Sequence, residues 1–135
     1  MLLKDCICFS LGKALRQISK HYREKLAKFG LTQPQFFLLI ALYEEDNILI
    51  SRLAEKVALD KATITGIIDR LEREGYVKRV YSKQDRRAIY IKLTDKAKNI
   101  ENDLKKIYHE TNSSFLSKLT EEEYKVFQSV IQKLG

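Results

Sequence analysis

The side chains best suited to chemistry lie between residues 61 and 92. Lys61, Arg70, Arg73, Lys78, Arg79, Lys83, Arg86, Arg87 and Lys92 stand there against only Asp69, Glu72, Glu74 and Asp85, a balance of +5 in a chain whose total is +7. Guanidinium and ammonium groups at that density suit a polyanion, because they hydrogen-bond phosphate and release its condensed counterions. Nucleic acid and an acidic membrane surface are the two polyanions to weigh, and a merely solvated basic face is the plain alternative. Cys6 and Cys8, the only cysteines, offer thiol oxidation, or else serve as small apolar side chains. Two residues apart on a helix they point to different sides, so they do not bridge each other and no disulfide framework is expected. His21 and His109 lack Cys or carboxylate neighbours at metal spacing, so neither metal nor cofactor is expected. The chain has no phosphate-cradling glycine loop, no His-Glu-x-x-His and no nucleophile elbow, which leaves no catalytic residue and sets an enzyme aside.

Those groups need a scaffold, and 135 residues with 44% apolar and 32% charged content suffice for one domain, 1–135. No stretch approaches the roughly 18 consecutive apolar residues of a membrane span, and the start lacks the layout of a signal peptide. A cytoplasmic protein without a membrane partner is expected.

Apolar residues Ile7, Leu11, Leu15, Ile18, Tyr22, Leu26 and Phe29 recur at steps of three and four, which predicts one amphipathic helix from about Cys6 to Phe29, stopped by Gly30. Thr32 and Gln35 form a capping box around Pro34 and open a nearly all-apolar helix, Phe36 to about Glu44, expected at the centre of the core. Ile50, Leu53, Ala54 and Val57 make a short helix. After a turn at Ala58-Leu59-Asp60, Asp60 caps a longer one that buries Ile64, Ile67, Ile68 and Leu71 and ends at Gly75. The period then changes to two over Ile89, Ile91 and Leu93, preceded by a β-prone run from Tyr76 to Tyr81, and the two runs read as a hairpin with the basic tip 82–87. Thr94 starts a helix to about Lys118 with Ile100, Leu104, Ile107, Thr111 and Phe115 on one side. Thr120 and Glu123 box the last helix, with Tyr124, Phe127, Val130, Ile131 and Leu134 expected inward.

Short helix, tight turn, longer helix and basic hairpin follow one another in the order of a winged helix-turn-helix, whose second helix enters the major groove. At 100° per residue the outward arc of that helix holds Ala62, Thr65, Gly66, Asp69, Arg70 and Arg73, flanked by Lys61 and Thr63. These are donors and small side chains fit for base edges and phosphates. The fold class is mostly α (α+β), with a two-stranded wing. Residues of about 31–94 form the winged module, and about 1–30 and 95–135 form flanking helices.

The run from Leu59 to Arg79, then Asp85-Arg86-Arg87-Ala88 and Leu93-Thr94, with Leu31-Thr32-Gln33-Pro34-Gln35 and Leu53-Ala54 upstream, resembles the MarR (multiple antibiotic resistance regulator) family over essentially the whole chain. The resemblance implies a transcriptional regulator, commonly a repressor, that forms a homodimer through interlocked first and last helices and binds double-stranded DNA at a pseudo-palindrome through one winged module on each side. It places Arg87 in the minor groove with Asp85 orienting its guanidinium, and Arg86 on a neighbouring phosphate; Lys83 shares the same basic tip. Gly66 stands where many relatives carry a larger polar side chain, which leaves base discrimination to Lys61, Thr63, Thr65 and Arg70. Either close backbone approach or simple tolerance accounts for the glycine. The helices at the two ends offer more apolar surface than one small domain readily covers, in keeping with dimerisation, although packing within a monomer is the alternative.

Cys8-Phe9 followed by Tyr22 resembles the organic hydroperoxide-sensing branch, in which tyrosine hydroxyls from the partner support a thiolate. The other tyrosine positions hold Gly12 and Gln33 here. Other members of the family respond to small aromatic ligands in the cleft between the dimerisation helices and the winged module, for which Tyr22, Phe36, Phe37, Tyr43 and Tyr108 are the candidate lining. A winged helix that docks protein rather than DNA is the alternative function.

Overall fold

A computed structural model describes all residues, Met1–Gly135. Helix α1, Ile7–Leu26, is followed by a single 3-10 turn, Ala27–Phe29, which shortens the expected helix by its last turn. Gly30 stops it in the left-handed region at φ 65°, where a side chain would strain the backbone. In α2, Gln33–Glu44, the Gln35 N–H donates to Thr32 Oγ1 at 3.3 Å and the Thr32 N–H to Gln35 Oε1 at 2.8 Å, closing the expected capping box. Phe36, Leu38, Leu39 and Leu42 of α2 are wholly buried, each contributing roughly 1.5–3 kcal/mol of apolar transfer. Helix α2 is therefore the axis around which the winged module packs.

The winged module runs β1 (Ile48–Leu49), α3 (Ile50–Lys56), α4 (Lys61–Arg73), β2 (Val77–Tyr81) and β3 (Ile89–Leu93). Between α3 and α4 the chain reverses through Ala58 at φ 54°. The Leu59 N–H donates to Ala54 O at 3.0 Å and the Ala58 N–H to Glu55 O at 3.1 Å, a Schellman turn with alanine in the place usually taken by glycine. Asp60 caps α4, and Gly75 at φ 83° ends it. Ile64, Ile68 and Leu71 are buried as expected, and Ile67 is half-buried. The wing is antiparallel, pairing Val77 with Leu93 through to Tyr81 with Ile89. A third strand that the pattern did not foretell joins it: β1 pairs Ile48 with Ile91 and Leu49 with Tyr90, giving the order β1-β3-β2.

The expected helix from Thr94 to Lys118 is two helices, α5 (Asp95–Asn99) and α6 (Glu101–Leu116). The break has an identifiable cause. The Tyr43 hydroxyl donates to the Ala97 carbonyl at 2.6 Å, and the Ile100 N–H approaches the same oxygen at 3.3 Å. A continuous helix would give that oxygen to the N–H of Glu101, so a side chain has entered the i→i−4 ladder. Beyond the break Leu104, Ile107 and Thr111 are buried and Ile100 and Phe115 half-buried, so the predicted stripe is kept.

Helix α7, Glu121–Leu134, begins at the predicted Thr120–Glu123 capping box. Its apolar stripe does not turn inward as expected. Phe127, Val130, Ile131 and Leu134 are exposed, Tyr124 is half-buried, and no residue of α7 is buried. No other element of the same chain packs extensively on α7, so its stripe has nothing in its own subunit to turn toward. Ile7, Leu11 and Leu15 at the start of α1 are exposed in the same way. No helix is long and apolar enough to cross a membrane.

Candidate nucleic-acid interface

Helix α4 is built to be held from behind and open in front. Its buried stripe anchors it on α2, while Lys61, Ala62, Thr63, Gly66, Asp69, Arg70 and Arg73 are exposed, as the helical projection expected. Thr65 is half-buried, and its hydroxyl donates to Lys61 O at 2.7 Å. The Thr63 hydroxyl donates to Asp60 Oδ2 at 2.9 Å and its N–H to Asp60 Oδ1 at 2.8 Å, holding the Asp60 carboxyl below the usual carboxylate range. Both threonines thus spend their hydroxyl protons inside the helix and face outward as acceptors with a methyl group. A Cβ added to Gly66 would meet nothing within 4 Å, so no neighbour within the protein demands glycine there.

The wing tip is held by its own turn. The Arg87 N–H donates to Asp85 Oδ1 at 2.9 Å, and the Gln84 and Asp85 N–H groups donate to Ser82 Oγ at 3.2 and 3.3 Å. The Asp85 carboxylate, expected to orient the Arg87 guanidinium, here holds the Arg87 backbone N–H. A two-residue reach favours that N–H, as in an Asx turn, and no ion pair joins the two side chains. Lys83, Arg86 and Arg87 are all exposed, with their charges free.

Helix and wing converge on one surface. Lys61 at the start of α4 and Asp85 and Arg87 of the wing line a single groove of about 420 Å³, floored by Ile50, Ile64 and Ile89. Lys61 sits at the positive end of the α4 dipole, where a cation is locally unfavourable and an incoming phosphate would be favoured by both. Ser51, exposed at the start of α3, lines the same groove. The sequence reading passed it over, although it was a hydroxyl in the polar part of a helix that precedes the turn.

Arg79 departs from its expected place among the free cations. Its Nη1 donates to Glu72 Oε1 at 2.7 Å, its Nη2 to Asp69 Oδ1 at 2.5 Å, and its own N–H to Glu72 Oε2 at 3.0 Å. Burial alone would lower the guanidinium's pKa, and its hydrogen bonds to the Asp69 and Glu72 carboxylates, with their negative charge, more than reverse this and raise it.

The other candidate sites separate. Cys6 caps α1 from outside the helix, Cys8 lies in its first turn, and both are exposed. Tyr22 lies fourteen residues further on, roughly 20 Å along the axis, packed against Phe36 and Phe37 at 5.2 and 5.9 Å between ring centroids. One chain therefore does not bring Cys8 and Tyr22 together. Burial, with Tyr108 nearby, pushes the Tyr22 phenol up. Of the five aromatics expected around a ligand, Tyr43 and Tyr108 line a groove of about 230 Å³ between α2 and α6, and Phe37 lines an adjoining one of about 280 Å³. Tyr22 and Phe36 are core, a correction that follows from the inward turn of both rings. His21 stacks edge-on to Phe115 at 5.0 Å and His109 to Tyr108 at 5.2 Å.

The MarR family model matches residues 31–89, from just before α2 to the first residue of β3. The HTH-type transcriptional regulator MgrA of Staphylococcus aureus is 33% identical over 133 residues, 98% of this chain and 89% of that protein. The chain belongs to the MarR family. A second relative, the organic hydroperoxide resistance transcriptional regulator of Bacillus subtilis (strain 168), is 33% identical over 95 residues, 70% of this chain and 65% of that one. Among solved structures, reduced AbfR bound to DNA superposes with a TM-score of 0.78 at 31% identity, covering 95% of this chain and 88% of that one. This MarR-family protein is a DNA-binding transcriptional regulator with a winged-helix fold, not an enzyme.

Proposed function

We propose that the protein is a homodimeric repressor acting in the cytoplasm, with α4 of each subunit in one major groove and Arg87 of each wing in the neighbouring minor groove. The observation that carries this reading is the groove shared by Lys61 and Arg87, which puts the helix start and the wing tip on one face. Lys61, Thr63, Thr65, Gly66 and Arg70 face base edges, while Arg73, Lys83, Arg86 and Ser51 serve phosphates. Arg87, a lone guanidinium in a narrow groove, reads shape more than bases. Dimerisation is supported by the uncovered apolar stripes of α7 and of the start of α1, which hold most of the exposed large apolar side chains. Two α4 helices about one helical turn apart call for a pseudo-palindrome with half-sites near 10 base pairs.

Release is assigned to an effector acting either at the Tyr43–Tyr108 groove, sized for a small aromatic molecule, or at the exposed Cys8 thiol through hydroperoxide. AbfR has been captured on DNA in both reduced and overoxidized forms. In the thiol case, support for Cys8 has to come from the partner subunit's Tyr22. A gel shift on the DNA upstream of the protein's own coding sequence, run at two salt concentrations with and without hydroperoxide, tests the reading. Binding that weakens with salt, and that Cys8→Ser makes insensitive to peroxide, supports repression with thiol release. Absence of duplex binding at low salt points instead to a protein-docking winged helix.

A further inference from the structure

We propose that Arg79 does not contact DNA and is instead the internal counter-charge of the DNA face, acting through Asp69 and Glu72 as a positioning residue. The inference rests on the proposed use of α4 and deepens it. Asp69 and Glu72 sit three apart on α4, and Asp69 lies on the same outward arc as Gly66, Arg70 and Arg73. Left alone, two carboxylates there would face the phosphates that the flanking arginines attract. One guanidinium spans both of them at 2.5 and 2.7 Å, and the Arg79 N–H takes the remaining oxygen of Glu72 at 3.0 Å.

The exposures fix the direction of the effect. The Arg79 side chain is 15% exposed, against 50% for Asp69 and 41% for Glu72. The cation is the sheltered partner and the anions are the outward ones, the reverse of what a phosphate-binding arginine requires. Its planar fork is the one cationic geometry that engages two carboxylates at fixed positions, so a lysine would hold only one of them well. The same clamp ties the start of the wing to the second half of α4, so charge and geometry are set together. Removal of Arg79, alone among these cations in spanning two carboxylates of α4, should therefore not delete a phosphate contact.

The test is a set of DNA titrations on the full chain at two salt concentrations, with thermal melts in parallel. Arg79→Gln uncovers the carboxylates and is expected to weaken binding by roughly two- to three-fold per subunit at low salt, so about six-fold for a dimer, the scale of one unit charge about 8 Å from a phosphate at the dielectric of water. The loss should shrink as salt rises, since it is a screened repulsion. Adding Asp69→Asn to Arg79→Gln should restore most of the affinity, and Asp69→Asn alone should bind at least as tightly as the parent. A direct phosphate contact would instead leave the double variant as weak as Arg79→Gln and lower the salt slope by about 0.9, and that outcome overturns the proposal. So does a loss that is equal at both salt concentrations and follows the melting temperature, which marks a purely structural clamp. Failure of the parent chain to bind duplex DNA would strike the proposed function itself and is read from the same titration before any variant is compared.

Discussion

Tyr43 and Ala97, fifty-four residues apart, share a hydrogen bond of 2.6 Å that replaces a rung of helix and splits the expected C-terminal helix into α5 and α6. The bond joins the central helix of the winged module to the helices leading toward α7. Burial, with Glu101 and Tyr76 nearby, pushes the Tyr43 phenol up, so it stays a donor at every physiological pH. Tyr43→Phe should cost about 1 kcal/mol, the net worth of one hydrogen bond, and return Ala97 O to the Glu101 N–H. Denaturant melts measure the first effect, and slower amide exchange at Glu101 the second.

Gly66→Ala should raise stability by roughly 0.5–1 kcal/mol, because the added methyl meets no atom of the protein and a mid-helix glycine is entropically costly. If α4 lies against base edges, the same methyl should alter operator affinity while the melt improves. Higher stability with identical affinity and sequence preference would remove Gly66 from the contact surface.

Arg87→Ala should reduce DNA affinity by about 1–3 kcal/mol without shifting the melt, since the wing turn is held by its backbone N–H and not by its guanidinium. Titration at fixed salt checks this. Equal affinity would show that the wing stays clear of the DNA.

Asp60 supplies an acid-sensitive cap. Its folded pKa is lowered by the Thr63 N–H and hydroxyl, so its stabilisation is complete above the unfolded value of about 3.9 and is lost as pH falls through the lower folded value. Melts between pH 5 and pH 2 should therefore show α4 loosening below about pH 4. Asp60→Asn, a non-titrating cap, should flatten that part of the profile.

Ile131→Glu should leave the winged module folded and convert the protein to monomers that bind a full operator poorly, because the changed side chain is already exposed within its own subunit. Sedimentation with a parallel gel shift reads both. A dimer that persists would move the interface away from α7.

Most of the fold was legible because its boundaries are written locally. Thr32 with Gln35, Asp60, Thr120 with Glu123, and the left-handed Gly30 and Gly75 each act within a few residues of themselves. What escaped depends on partners far along the chain. Strand β1 is two residues long and exists through Ile91 and Tyr90. The α5–α6 break needs Tyr43, since neither proline nor glycine marks it. The outward face of α4 was readable from its period, but the pairing of Arg79 with Asp69 and Glu72 was not, since a basic residue after a helix looks the same whether it faces solvent or folds back. The inward direction given to Tyr124, Phe127, Val130, Ile131 and Leu134 failed for a related reason: periodicity identifies an apolar side of a helix but not which molecule covers it.

Helix α7 fully buries no side chain in its own subunit, so most of what holds it still is supplied from outside, and supply of that kind follows mass action. On the proposed pairing, a cell making little of this protein would contain mostly single reading heads, and one making more would cross to paired heads with far greater purchase on a two-part site. Expression level would then be a signal in its own right, acting alongside any effector.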